Sequence, residues 1–246
     1  MLYDSSPLQK ITGKLLRPGG LELTRKGLDL CAFPPGARLL DIGCGAGASL
    51  DLLRALGYEA IGLDLSRKLL LEASDNSPRV QGDSGALPFA DSSFDGLVSE
   101  CVLSLSTEPA ALVCEWGRAM KPGSRILFSD LYVRLPIEDV GTNRTTELFP
   151  CADGALNLSC LTSLFIEHGF HLMHVTDHSH LLAQLAAQIV WHFDSLENFS
   201  RLWQEKAGAA FPQRQRSCSG QDKSQFGYIL IIAEKGEEYE TARHKR

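Results

Sequence analysis

Three carboxylates and three glycines in this chain sit at spacings that suit the binding of a small charged ligand. Asp41, Asp64 and Asp83 each lie at or just after the end of a short extended run. Gly43, Gly45 and Gly47 occupy alternate positions directly after the first run. Leu39 to Ile42 reads as a buried strand and Leu50 to Leu56 as an amphipathic helix, so the glycines form the turn between them. The free N–H groups of that helix face whatever the turn holds. Glycine accepts positive φ and lets backbone approach a bound molecule closely. Asp41 stands at the carboxyl end of the strand, which is where open α/β sheets bind ligands. Asp64 ends the next apolar run, 21 residues after Gly43. One carboxylate there has two oxygens for the two adjacent hydroxyls of a ribose. Ser66 is the better cap for the helix that follows, which leaves Asp64 for the ligand.

Two cofactor classes fit the glycine turn taken by itself. Gly43-x-Gly45-x-x-Ala48 satisfies the dinucleotide fingerprint. A carboxylate at Asp41 would repel the pyrophosphate of such a ligand and would welcome a cation. Read as Leu-Asp-Ile-Gly-Cys-Gly-Ala-Gly, the same stretch resembles motif I of the class I S-adenosylmethionine-dependent methyltransferases. The stretch from Asp83 through Leu87-Pro88-Phe89 to Ser93-Phe94-Asp95 and Glu100 also resembles that family, from its adenine-contacting Asp to the opening of its fourth strand. The chain reads Arg118-Ala-Met-Lys-Pro-Gly-Ser124 where the family often reads Arg-x-Leu-Lys-Pro-Gly-Gly. The resemblance covers residues 37 to about 131 well and the remainder weakly.

The resemblance implies S-adenosylmethionine as cofactor. It implies that Asp41, Gly43, Cys44, Gly45 and Gly47 cradle it, that Asp64 and Leu65 meet the ribose side, and that Asp83 and Ser84 meet the adenine. It places Glu100 and Cys101 beneath the methionyl arm and beside the reacting methyl. Cys44 reads as a small residue filling the tight turn. No catalytic base is identified. Asp130 and Tyr132, near the end of the fifth strand, are expected at the cleft, and Tyr3, Arg17 and Thr24 are the polar candidates from the N-terminal segment.

Strands and helices must alternate to bring these groups together. Leu8 to Leu16 reads as a short helix, and Leu21, Thr24, Leu28 and Cys31 keep helical spacing to about Cys31. The sequence then predicts strands at 38–42, 58–64, 79–83, 94–99, 124–131, 170–177 and 224–233. Between them it predicts helices at 50–56, 67–74, 109–120 and 161–168, with Gly57 and Gly169 as stops. This is an α/β chain with a doubly wound, seven-stranded, mostly parallel sheet. About 45 residues, 178–222, intervene before the last strand, well over a usual connection. They read as a helical insertion packed over the sheet edge, with a homodimer surface as the alternative. The domain plan is N-terminal cap helices over 1–36, a methyltransferase domain over 37–235 and a charged, disordered tail over 236–246.

Composition excludes several function classes. The chain has 246 residues, 44% hydrophobic, with a net charge of −6, and no basic block interleaved with aromatics, so nucleic acid is not an expected partner. No apolar run approaches the ~20 residues of a membrane span. The first residues lack the order of a signal peptide, so a cytoplasmic protein is expected. Seven cysteines match no zinc pattern and read as reduced thiols. His171, His174, His178 and His180 do not have metal-ligand spacing, since an odd separation on a strand sends His171 and His174 to opposite faces. No metal is expected; His174, His178 or Asp177 is a candidate base.

The sequence therefore reads as a methyltransferase that passes the sulfonium methyl to a small-molecule acceptor by in-line displacement. One alternative is an arsenite methyltransferase using Cys151, Cys160 and Cys218 as thiolates. Others are an NAD-dependent oxidoreductase and a catalytically silent cofactor-binding protein.

Overall fold

A computed structural model describes residues 17–72, 77–134, 154–195, 198 and 226–237. The expected helix at 8–16, Tyr3, Cys151, Cys218 and the tail beyond residue 237 lie outside the described residues. The elements run α1 (Gly20–Cys31), β1 (Arg38–Ile42), α2 (Ala48–Ala55), β2 (Glu59–Asp64), α3 (Arg67–Leu71) and β3 (Arg79–Gln81). They continue with β4 (Phe94–Glu100), α4 (Pro109–Ala119), β5 (Met120–Val133), α5 (Leu158–Glu167), β6 (Phe170–Asp177), α6 (Ser179–Phe193) and β7 (Phe226–Lys235).

The seven strands form one sheet in the order β3-β2-β1-β4-β5-β7-β6. β1 to β5 pair in parallel, and β7 lies antiparallel between β5 and β6. The central parallel strands β1 and β4 are largely buried on both sides because helices cover both faces. Neighbouring residues divide between the two faces. Leu40, Leu97, Phe128 and Ile231 join Trp116 of α4 and Phe165 of α5. Leu39, Val98, Leu127 and Ile232 join Leu23 of α1 and Leu50 of α2.

Local chemistry sets the boundaries. Ser66 caps α3 by accepting from the Leu69 N–H, Pro109 opens α4, and Asn157 caps α5 by accepting from the Cys160 N–H. The Lys121-Pro122-Gly123 segment does not separate α4 from β5. The helix already ends at Ala119, and Met120 pairs with Phe94, so these residues form an irregularity inside a longer β5. The third strand ends at Gln81 and leaves Asp83 in the following turn. The last strand runs to Lys235, two residues beyond its expected end at 233. The buried Lys235 ammonium donates to the Met120 carbonyl at 2.6 Å.

Gly96 in β4 makes room for the Phe33 ring, since a Cβ there would lie 2.1 Å from Phe33 Cε1. Gly96→Ala should destabilise the fold by about 1–3 kcal/mol through overpacking, read as a fall in the denaturant midpoint.

Candidate active site

The carboxyl ends of β1, β2 and β4 meet the glycine turn at one edge of the sheet. Gly43, Gly45 and Gly47 have φ of 70°, 53° and 92°, in the left-handed region where side chains are strained. The Gly43 and Cys44 N–H groups both donate to the Leu63 carbonyl, at 2.8 and 3.1 Å, which folds the turn over the end of β2. A Cβ at Gly43 would strike Val102 Cγ2 at 2.4 Å, and one at Gly47 would strike Arg79 Nη2 at 2.5 Å. At Gly45 it would meet nothing nearer than 4.0 Å. The turn is thus closed behind by protein and open at its middle glycine.

Asp64 is tied to this turn. Its Oδ2 accepts from the Gly45 N–H at 2.8 Å and its Oδ1 from the Ser66 N–H at 2.7 Å. A carboxylate has about four acceptor positions, more than these two bonds use. Leu65, next along, leaves its side chain 54% exposed. Cys44 is buried, with its sulfur 2.6 Å from where a Gly62 Cβ would be; it packs, and burial raises its thiol pKa. Asp83 is exposed, and its Oδ1 accepts from the Gly85 N–H at 2.8 Å, an Asx turn that shapes the loop. The Ser84 carbonyl accepts from Trp116 Nε1 at 3.2 Å.

Asp41 and Glu100 form the buried floor. Asp41 is 3% exposed, and its Oδ2 has no hydrogen-bond partner among the described residues. Burial, then the Glu100 carboxylate, push its pKa up to about 8, against the pull of Arg17 and Arg79. Glu100 is enclosed by donors. Thr24 Oγ1 donates to its Oε1 at 3.0 Å and Ser49 Oγ to its Oε2 at 3.0 Å, and Arg17 Nη2 pairs with Oε2 at 2.8 Å. Arg17 also donates to Thr24 at 2.5 Å and Ser49 at 2.9 Å. Burial works against its guanidinium charge, but Glu100 and its neighbours outweigh burial and hold the pKa above its ordinary value. The segment before α1 is thereby pinned to the end of β4.

Other expected residues fall elsewhere. Cys101, at φ 57°, lies 3.3 Å from the Tyr228 hydroxyl through its sulfur, toward β7. Asp130 is 1% exposed and committed to Ser104, accepting from its N–H at 3.0 Å and its hydroxyl at 2.6 Å. Burial raises its pKa to about 6. The Tyr132 side chain is buried, and its hydroxyl donates to Asp177 Oδ2 at 2.9 Å. Neither Asp130 nor Tyr132 is presented to the cleft as expected, because each is consumed in joining β5 to its neighbours.

Cys160 lies exposed near the start of α5. Among the described residues no group of three or more His, Cys, Asp or Glu side chains is placed to hold a metal ion. Ser49 and Arg79 were not singled out from sequence. Ser49, two residues past the third glycine, carried a local signal; Arg79 reaches Gly47 only through the pairing of β3 with β2.

Residues 40–128 match a family described as a methyltransferase domain. The chain is 31% identical over 134 residues to a demethylmenaquinone methyltransferase of Renibacterium salmoninarum, covering 53% of this chain and 56% of that protein. It is 28% identical over 155 residues to an arsenite methyltransferase of Halobacterium salinarum, covering 58% of this chain and 40% of that protein. The chain thus spans about half of these relatives. A Haemonchus contortus phosphoethanolamine N-methyltransferase 2, solved with S-adenosyl-L-methionine, shares the fold. Its TM-score is 0.71 at 18% identity, covering 96% of this chain and 56% of that one.

Proposed function

We propose that this chain, whose residues 40–128 match a methyltransferase domain family, is a class I S-adenosylmethionine-dependent methyltransferase that moves the sulfonium methyl of that cofactor to a small-molecule acceptor by in-line displacement. The observation that carries the reading is the pair of buried carboxylates, Asp41 and Glu100, beneath an open glycine turn whose middle N–H is held by Asp64. A pyrophosphate would meet repulsion from Glu100 and would hold Asp41 in its protonated form, whereas a ligand with an ammonium and a sulfonium draws off the Asp41 proton and pairs with the carboxylate left behind. The partnerless Asp41 Oδ2 supports an incoming donor, since an unsatisfied buried acceptor costs about 1–3 kcal/mol.

Bound S-adenosylmethionine supplies an electrophilic methyl group on sulfur. In this reading the chain holds and orients it. Asp64 accepts the ribose hydroxyls, with Leu65 offering an apolar surface beside them. Asp83 accepts from the adenine amino group and the Ser84 segment lines the same side. Asp41 and Glu100 receive the ammonium, and Arg17 receives the carboxylate. Gly43, Cys44, Gly45 and Gly47 let the backbone close on the ligand, and Cys101 shapes the end of β4. Alignment of the acceptor with the carbon–sulfur bond then supplies most of the barrier reduction.

The cap at 1–36, the catalytic unit at 37–235 and the insertion at 178–222 are the divisions this reading uses. It places the reaction in the cytoplasm, supported by cysteine spacing unlike a disulfide framework. No helix among the described residues is long and apolar enough to cross a membrane.

Calorimetry with S-adenosylmethionine and S-adenosylhomocysteine tests the reading; absence of binding by both would overturn it. A proton signature should accompany binding. Asp41 holds its proton up to about pH 8 in the free protein, and an ammonium placed beside it lowers that pKa. Binding at pH 7 should therefore release part of a proton, read as a binding enthalpy that varies with the ionisation enthalpy of the buffer. Asp41→Asn should lose the dependence.

A further inference from the structure

A cavity of about 620 Å³ lies between the start of α1 and the first turns of α6. Arg17 lines it, and the same guanidinium pairs with Glu100, so the cavity adjoins the cofactor cleft across one side chain. Topology places it there. α6 leaves the carboxyl end of β6, at the edge where β1, β2 and β4 present the glycine turn, and β7 returns antiparallel. The helix after β6 is therefore a wall of the site.

The remaining walls are rich in hydrogen-bond donors. Lys26 of α1, Gln184 of α6 and the imidazoles of His178 and His180 line the cavity, with the two rings 5.7 Å apart. Two buried nitrogens of lining residues, Arg17 Nε and His178 Nε2, have no hydrogen-bond partner among the described residues. Glu22 lines the cavity one helical turn before Lys26, is exposed, and carries its only negative charge among the described residues. No Phe, Tyr, Trp or Cys of the described residues lines it, so the chamber suits neither a flat aromatic sandwich nor a thiolate-held metalloid.

We propose that this cavity is the methyl-acceptor chamber and that it takes a small molecule through an oxyanion, a carboxylate or a phosphate, received by Lys26, His178 and His180. Resting on the cofactor reading above, the inference adds the acceptor's class and place. Burial, then the positive charges of Lys26 and His180, keep His178 below its ordinary pKa, with Asp177 opposing and His174 adding to the effect. An oxyanion among these groups relieves that crowding of positive charge.

The test follows the histidine side-chain NMR signals of the full chain, saturated with S-adenosylhomocysteine, during separate titrations with inorganic phosphate and with acetate at constant ionic strength. His178 and His180 should shift saturably while His168 and His192 do not; the arm that saturates at lower concentration identifies the preferred oxyanion. Lys26→Ala should weaken the effective probe roughly tenfold, the loss of one charge-assisted bond. Gln184→Trp, which fills the chamber from an exposed position, should abolish it. Both variants should bind S-adenosylhomocysteine like the parent. Unmoved or unsaturable His178 and His180 signals in both arms, or full probe affinity in either variant, would refute the assignment. Failure of S-adenosylhomocysteine to bind, with the probe behaving as described, would instead remove the cofactor reading and with it the acceptor role.

Discussion

Asp64→Ala should weaken S-adenosylmethionine binding at least about a hundredfold. The carboxylate is expected to accept two ribose hydroxyls, and a hydrogen bond to a charged group contributes about 1.5–3 kcal/mol. Two such bonds give about 3 kcal/mol at the low end, and each 1.4 kcal/mol is tenfold in affinity. The same substitution also frees the Gly45 and Ser66 N–H groups that Asp64 now holds at 2.8 and 2.7 Å. The glycine turn would lose its tether to β2, which adds to the loss. Titration calorimetry decides the matter, and undiminished affinity would refute the ribose assignment while leaving the fold and the cofactor class untouched. Asp64→Asn separates the two contributions: an amide oxygen still accepts from one N–H but carries no charge.

The second large effect belongs to stability. Glu100→Ala should cost about 3–5 kcal/mol, because it strands a buried guanidinium without its counter-charge. Arg17 and Glu100 side chains are only 11% and 4% exposed, so water cannot replace the lost partner. Removing both residues together should restore much of the stability, since replacing both members of a buried pair is far cheaper than breaking it. Urea denaturation of the two single variants and the double variant gives the coupling energy. A double variant as unstable as the sum of the singles would show that Arg17 and Glu100 are held by separate interactions.

The fold was legible in the sequence because its signals are local. Apolar runs bounded by glycine and proline mark the strands, and β6 matches its expected span at 170–177. The Ser66 cap, the Pro109 helix start and the Gly169 stop depend on residues within a few positions of one another. Asp41, Gly43–Gly47 and Asp64 gather at one edge for the same reason: each follows its own strand, and parallel strands end together. Partnership across the sheet was not legible. Nothing near Asp130 in sequence announces Ser104, and nothing near Tyr132 announces Asp177, yet those bonds turn both residues from candidate cleft groups into joints. Arg17 and Thr24 were visible only as polar residues in a helical segment. Their convergence with Ser49 on Glu100 requires α1, α2, β4 and the segment before α1 to be in place at once. Asp83 is the intermediate case, an exposed carboxylate whose observed bond is the local one to Gly85.

β7 runs against β5, so the chain leaves the sheet at the edge opposite the glycine turn. The Lys235 ammonium bonds to the Met120 carbonyl there, and the Gly236 N–H bonds to the Gly169 carbonyl. The start of the described chain does the reverse, delivering Arg17 straight onto Glu100. The two ends of the described chain are therefore unequal places. Residue 237 stands at the edge of the sheet away from the cleft, so a probe attached near it leaves the cleft clear, whereas Arg17 is itself part of the wall of the site.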